Sequence, residues 1–249
     1  MLTRRFWLMG LAVLLSTTAM AASFSVNPVR VDLAAERPYT VMQIINSADM
    51  PITLQARAYR WTESDMAKGG GLVSTDAIIL NPPLLTVLPH SIRYLRLGLR
   101  TANTGTTELP YRLVLQEVPK AVDDKEGAVL RTIVRMTIPI FAVAKSATAP
   151  KPEWSLQQTG LGKYKLSLAN KGTAHIHVTT LDISPAGKTE ALKKLNAPIY
   201  VLPGQSYSWD VEGMEFNGQT HLKLTGTTDA GNLEETLQAT YSTAAATPN

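Results

Sequence analysis

Beyond residue 23 the chain is a succession of short runs in which apolar and polar positions alternate. Turn residues break these runs about every 8–12 positions, which is the pattern of a β-sandwich. Residues 24–26 and 29–33 read as a first strand interrupted by Asn27-Pro28, and 39–45 as a second that ends in 46–51. Ile52–Trp61 reads as a third strand that turns Ile52, Leu54, Ala56 and Ala58 inward. Residues 78–80, Ser91–Leu99 and 111–118 follow, then a polar loop over 120–127. In Ser91–Leu99 the faces are Ile92, Tyr94 and Arg96 against Arg93, Leu95 and Leu97. A second series covers 154–158, 164–169, 175–183, 198–202, 205–211, 221–227 and 233–241. Helical periodicity is nearly absent; only 189–195, after Gly187, reads as a short helix.

The run 129–141 stands out. One face carries Leu130, Thr132, Val134, Met136 and Ile138; the other carries Val129, Arg131, Ile133, Arg135 and Thr137. Sandwich strands normally wet one face, yet here both are substantially apolar. Pro139 gives no N–H to a ladder, which predicts a bulge or an edge. Two readings stay open: an edge strand kept apolar for a purpose, or a central strand buried on both faces.

Composition separates the chain into parts. Arg4 and Arg5, the apolar run 6–15 and Ala19-Met20-Ala21 form a signal peptide over 1–21. That run is too short for a membrane span of about 20 residues, so no membrane insertion is expected after cleavage. A leader of this style points to the bacterial periplasm. Residues 144–152 have linker composition, with two prolines near their end. The expected organisation is therefore a first domain over 22–143, a linker over 144–152, a second domain over 153–242 and a disordered tail over 243–249. The fold class is all-β, with two immunoglobulin-like β-sandwich domains in tandem, set at an angle around a cleft.

Candidate chemistry is sparse. Without cysteine no disulfide assists the fold. The formal charge of +4 falls to +2 once Arg4 and Arg5 are removed, and this does not favour a nucleic-acid partner. His175 and His177 share a strand face and read as a surface pair; zinc would need a third ligand from elsewhere. No phosphate loop, G-x-S-x-G or H-E-x-x-H is present. Glu63 and Asp65, beside Gly69-Gly70-Gly71, read as a solvated loop. No catalytic residue, metal or cofactor is expected, and the chain does not read as an enzyme.

Several segments, taken in order, resemble the periplasmic pilus-assembly chaperones of the chaperone–usher pathway. They are Ile44-Ile45-Asn46-Ser47-Ala48-Asp49-Met50-Pro51, Trp61, Asn81-Pro82-Pro83 with Leu88-Pro89, and Tyr111-Arg112-Leu113-Val114-Leu115-Gln116-Glu117-Val118-Pro119. Tyr200-Val201-Leu202-Pro203-Gly204 is similar too, and Ile138-Pro139-Ile140-Phe141 looks like the branch that builds spore-coat-U-like pili. The resemblance spans nearly all of the mature chain; each motif is weak alone, and their order is specific.

The resemblance implies a chaperone that stabilises pilus subunits by lending them an edge strand and delivers them to an outer-membrane usher. Leu130, Thr132, Val134 and Met136 would be the donor residues, with Ile133 holding the strand to its own sheet. The subunit's C-terminal carboxylate would be anchored by Arg30 and a second cation. The family's second cation is a Lys, but Thr137 stands there; Arg135 is the substitute, with Arg96 or Arg131 as alternatives. The competing role for Arg30 is a rim ion pair with Asp32. The family's Arg-Pro is replaced by Phe141-Ala142, so its inter-domain ion pairing is expected to be missing. Two other readings, a secreted adhesive or carbohydrate-binding protein and a β-scaffold hydrolase, have less behind them: an adhesin would hide its edges and line a cleft with aromatics. Amino-terminal sequencing of the exported protein should begin at Ala22 or within a residue or two; a mature protein that keeps residues 6–15 would overturn the secretory reading.

Overall fold

The structure is a computed structural model, and it describes residues 24–63, 71–119, 133–146, 148–185, 191–195, 198–213 and 221–241. Leu130, Arg131, Thr132, Asp65, the leader and the tail lie outside these residues. Among the described residues there is no helix.

Among the described residues the first domain has ten strands: β1 (Phe24–Asn27), β2 (Val31–Leu33), β3 (Tyr39–Asn46), β4 (Ile52–Trp61), β5 (Leu72–Ser74), β6 (Ile78–Asn81), β7 (Leu84–Val87), β8 (Ser91–Leu99), β9 (Leu109–Glu117) and β10 (Arg135–Ala142). One sheet runs β1-β3-β8-β6 and the other β2-β10-β9-β4-β5, with β7 also on β4. The described residues of the second domain form eight: β11 (Pro152–Gly160), β12 (Lys163–Asn170), β13 (Ile176–Pro185), β14 (Lys193–Leu195), β15 (Ile199–Val201), β16 (Ser206–Glu212), β17 (His221–Thr228) and β18 (Gly231–Tyr241). They run β14-β13-β17-β18-β11-β12-β16, with β15 on β13 and a parallel join of β18 to β11.

Period-two burial explains the strands. Ile52, Leu54, Ala56 and Ala58 are buried, as are Leu95 and Leu97, while Ile92, Tyr94 and Arg96 face outward. The expected helix over 189–195 is corrected at its end: Lys193–Leu195 is a strand on β13, because pairing with Leu181–Ile183 buries backbone that a lone helical turn would leave open.

Strand β10 is an edge over part of its length and a central strand over the rest. β9 pairs with it along Arg135–Ala142, in a register that shows no bulge at Pro139. On its other side β2 pairs only with Ile140, Phe141 and Ala142, in parallel. Residues 135–139 therefore have a ladder on one side only among the described residues. Ile138 and Ile140 are buried in the first core, and Val134 and Met136 pack against it. Ile133 is 50% exposed, so it does not hold the strand to its own sheet; the even-numbered face does.

A buried asparagine fixes the end of β10. Asn103 Nδ2 donates to the carbonyls of Thr107 and Ala142 at 2.9 Å each, and its Oδ1 accepts from Gly105 N at 3.0 Å. Buried carbonyls without donors are costly. Asn103→Ala should lower stability by about 2–3 kcal/mol in denaturant unfolding; a change within error would remove this asparagine from the account of how β10 is held.

Candidate functional site

The odd-numbered residues of β10 face away from the first core, and Phe141 among them meets the second domain. Phe141 packs there with Trp61, Leu202, Leu72 and Tyr200 in one buried apolar cluster contributed by both domains. Trp61 meets the Tyr200 ring edge-on at 5.7 Å, and the backbone of Glu108 donates to Thr173 O at 2.9 Å. Gln205 Nε2 also donates to the carbonyl of Thr62. The two sandwiches are thus joined by a hydrophobic contact with polar links around it.

Ionisable groups line this junction. His175 is 8% exposed. Its Nδ1 donates to Glu108 Oε1 at 2.9 Å, and its backbone N donates to the same oxygen at 3.2 Å. Its Nε2 lies 3.1 Å from Asp229 Oδ2, an ion-pair approach rather than an aligned hydrogen bond. Phe141 stacks on the imidazole with centroids 3.7 Å apart. Burial alone would lower the pKa of His175, but the carboxylates of Asp229 and Glu108 outweigh it and push it up to about 9. Asp229 is one of two residues in the β17–β18 turn, and His177 N holds its Oδ1 at 3.1 Å. Burial works against its charge, yet His175, the His177 backbone and Arg30 hold it below the usual carboxylate range.

Arg30 lies just before β2. Its Nη2 is 3.1 Å from Asp32 Oδ2, and its Nη1 donates to Asp229 Oδ2 at 3.4 Å. The ion pair with Asp32 weighed in the sequence is present, and a second acid from the other domain joins it. Val31 pairs with Ile140, so Arg30 flanks Pro139 on the side where the ladder of β10 stops. On the opposite side Pro139 pairs with Arg112.

Arg112 is the residue that sequence reasoning missed. It is 9% exposed, its guanidinium carbon sits 3.7 Å from the centre of the Trp61 ring, and its Nε has no hydrogen-bond partner. Among the described residues no carboxylate lies within ion-pair distance of it. Burial pushes its pKa down to about 10, opposed in part by Tyr200. Tyr200 also interacts with Arg30, so both arginines border one phenol. The only available signal was positional: Arg112 alternates with the core residues Tyr111 and Leu113, and nothing in the sequence says that a second domain covers that face.

The other candidates fall elsewhere. Thr137 pairs with Val114, one position from Pro139's neighbours, and is partly buried. Arg135 is exposed, four residues before Pro139, which is about 13 Å along a strand. Arg96 is exposed on β8 in the other sheet. The described residues bring Arg30 together with Arg112 and do not bring it together with Arg96 or Arg135.

Two expectations are corrected. His175 is buried rather than a surface histidine, because carboxylates on either side compensate its charge. Inter-domain ion pairing is present although Phe141 stands in the family's arginine position: His175 supplies the cation from the second domain and Phe141 stacks on it. No group of three or more possible metal ligands occurs among the described residues.

Residues 23–146 match the profile of the pili and flagellar-assembly chaperones, PapD N-terminal domain. The chain belongs to this family of PapD-like pilus chaperones. It is similar in fold to the CsuC–CsuE chaperone–tip adhesion subunit pre-assembly complex of the archaic chaperone–usher Csu pili of Acinetobacter baumannii, at 22% identity and TM-score 0.61, covering 89% of this chain and 100% of that one. The Salmonella enterica SafA pilin–SafB chaperone complex follows at 15% identity and TM-score 0.60, covering 86% and 95%. The E. coli chaperone DraB matches at 17% identity and TM-score 0.57, covering 88% and 97%. A search of curated protein sequences found no significant match.

The raised pKa of His175 sets a pH dependence. In the unfolded chain it titrates near its ordinary 6.5, and in the fold near 9. Its contribution to stability is therefore complete below about pH 6.5 and is lost as pH rises through about 9. The melting temperature should fall across that interval, and His175→Gln should flatten the fall. A profile of unchanged slope in the variant would assign the dependence to other groups.

Proposed function

We propose that the protein is a periplasmic chaperone that lends the free edge of β10 to a pilus subunit lacking a strand and passes that subunit to an outer-membrane usher. The observation that carries this reading is the half-paired edge at residues 135–139, whose apolar face continues the protein's own core and whose end is flanked by two arginines. An unpaired edge offers a row of N–H and C=O groups to an incoming strand, and alternate side chains give the fit. Chaperone–pilin donor-strand complementation is a known instance of such strand addition. Val134 and Met136, with Leu130 and Thr132 before them, would fill the subunit's groove. Family membership supports the reading, and so do the subunit complexes among the related folds.

The subunit's C-terminal carboxylate would rest on Arg30 and Arg112. A buried guanidinium without an acid is unfavourable, and a partner's carboxylate would supply the missing charge. Arginine can hold it through two parallel hydrogen bonds. Arg112 takes the second place in preference to Arg135 because it alone lies beside Arg30 across Pro139. The fit of this branch to spore-coat-U-like pili rests on Ile138-Pro139-Ile140-Phe141 and on likeness to the Csu complex.

Two mutant pairs test this by co-purification of subunit from periplasmic extract together with thermal melts. Arg30→Ala and Arg112→Met should each lose about 3–5 kcal/mol of subunit affinity, or about two to four orders of magnitude. Arg112→Met should leave the melt unchanged or raise it, since a buried charge gives way to an apolar chain on Trp61. Wild-type yields of captured subunit would sink the anchor. In the second pair, Val134→Glu should abolish capture with a modest drop in melting temperature, because Val134 is only partly packed on the core. Ile133→Glu, on the exposed face, should leave both nearly intact, and the reverse result would turn the strand over.

A further inference from the structure

Arg30 is not free to meet an external carboxylate. Two of the protein's own acids hold it: Asp32 at 3.1 Å and Asp229 at 3.4 Å. The same Asp229 oxygen, Oδ2, also lies 3.1 Å from His175 Nε2. One carboxylate oxygen therefore stands between an arginine of the first domain and a histidine of the second. We propose that His175 positions Arg30 for carboxylate capture by drawing this shared oxygen toward itself, so that the anchor is open while the imidazole is charged and closes on Asp229 when the imidazole is neutral. This rests on the reading of Arg30 as the carboxylate anchor.

The surroundings of His175 restrict what else could act. Glu108, from the segment before β9, holds Nδ1; Asp229, from the β17–β18 turn, faces Nε2. His177, two residues on, stacks against Tyr200 at 4.0 Å and feels the charge of His175. Tyr200 lies 5.5 Å from the imidazole, Phe141 covers its other contact face, and Arg30 is reached through Asp229. With Glu108 fixed on one nitrogen and Phe141 on the ring, the imidazole has little room to turn away. A change in its charge is therefore felt most directly by Asp229. When His175 is charged, two cations divide the pull of Asp229 Oδ2. When it is neutral, Arg30 alone receives that pull, and an incoming carboxylate must displace a stronger internal competitor. The raised pKa of His175 puts the transition on the alkaline side of neutrality.

The test uses the full mature chain and a short N-acetylated peptide of alternating apolar and hydroxyl residues. It ends in a free carboxylate, with a C-terminally amidated twin as control, and it has no other group that titrates between pH 7 and 10. Fluorescence anisotropy gives Kd as a function of pH. For the wild type, the free-acid peptide should bind more tightly than its twin at pH 7.5 and lose about tenfold in affinity by pH 10, the usual scale of coupling between linked sites. His175→Gln should bind the acid peptide about tenfold more weakly at pH 7.5 and show no further loss up to pH 9, below the range in which Arg112, pushed down to about 10, begins to discharge. His175→Arg keeps the cation, so it should bind as the wild type does at pH 7.5 and stay flat to pH 9, before Arg112 discharges; a histidine needed only for packing would not be rescued this way. If His175→Arg melts below the assay temperature, the contrast between wild type and His175→Gln decides alone. A wild-type preference for the acid peptide that persists unchanged to pH 10 overturns the positioning role and leaves the anchor standing. Equal binding of the two peptides at pH 7.5 overturns the anchor itself, and this inference with it.

Discussion

Two carboxylates from different domains converge on one imidazole. Glu108 belongs to the first sandwich and Asp229 to the second, and His175 satisfies both while being almost wholly buried. Each of these charges would be costly alone at a junction lined by Trp61, Phe141 and Leu202. Glu108 and Asp229 bring two negative charges against one positive charge on His175, and Arg30, which touches Asp229, supplies the second cation, so the compensation reaches the strand edge at Pro139. Phe141 stacks on the imidazole and Arg30 is held by Asp229, so both are tied to this compensation.

The open edge of β10 is a second constraint, and it conflicts with an ordinary soluble fold. Exposed apolar edges recruit other chains, so proteins commonly cover them or end them with proline or charge. Here β2 covers only the last three residues of β10, and Pro139 sits where that cover begins. Arg135 puts a charge on the exposed face of the uncovered part. The edge is limited rather than removed.

Arg112 shows how a site can be built from burial. Its stack on Trp61 gives the guanidinium a surface to rest on, and its Nε finds no partner. In an ordinary core this would be a defect, since buried polar atoms are nearly always paired. Arg112 lies across Pro139 from Arg30, which already meets Asp32 and Asp229, while no carboxylate among the described residues meets Arg112.

Much of the architecture was legible from residue order. Period-two alternation placed β3, β4, β8, β9 and most of the second-domain strands, because one buried face per strand leaves its mark directly in sequence. The short strands β5 and β7 were missed and β14 was read as the end of a helix: three or four residues carry little periodicity, and β1, β2, β6 and β15, equally short, were legible through the turn residues beside them. Arg30 could be picked out because the motif around it is local. Which face of β10 meets its own core, which cation stands beside Arg30 and where His175 lies were decided by tertiary structure. Alternation says that two faces differ, but an edge strand with two apolar faces does not say which is covered. Arg112 and His175 are read correctly only when the second sandwich is laid over the first, because burial and charge compensation arise from residues distant in sequence: Glu108 with His175, Asp229 with Arg30, and Trp61 with Arg112.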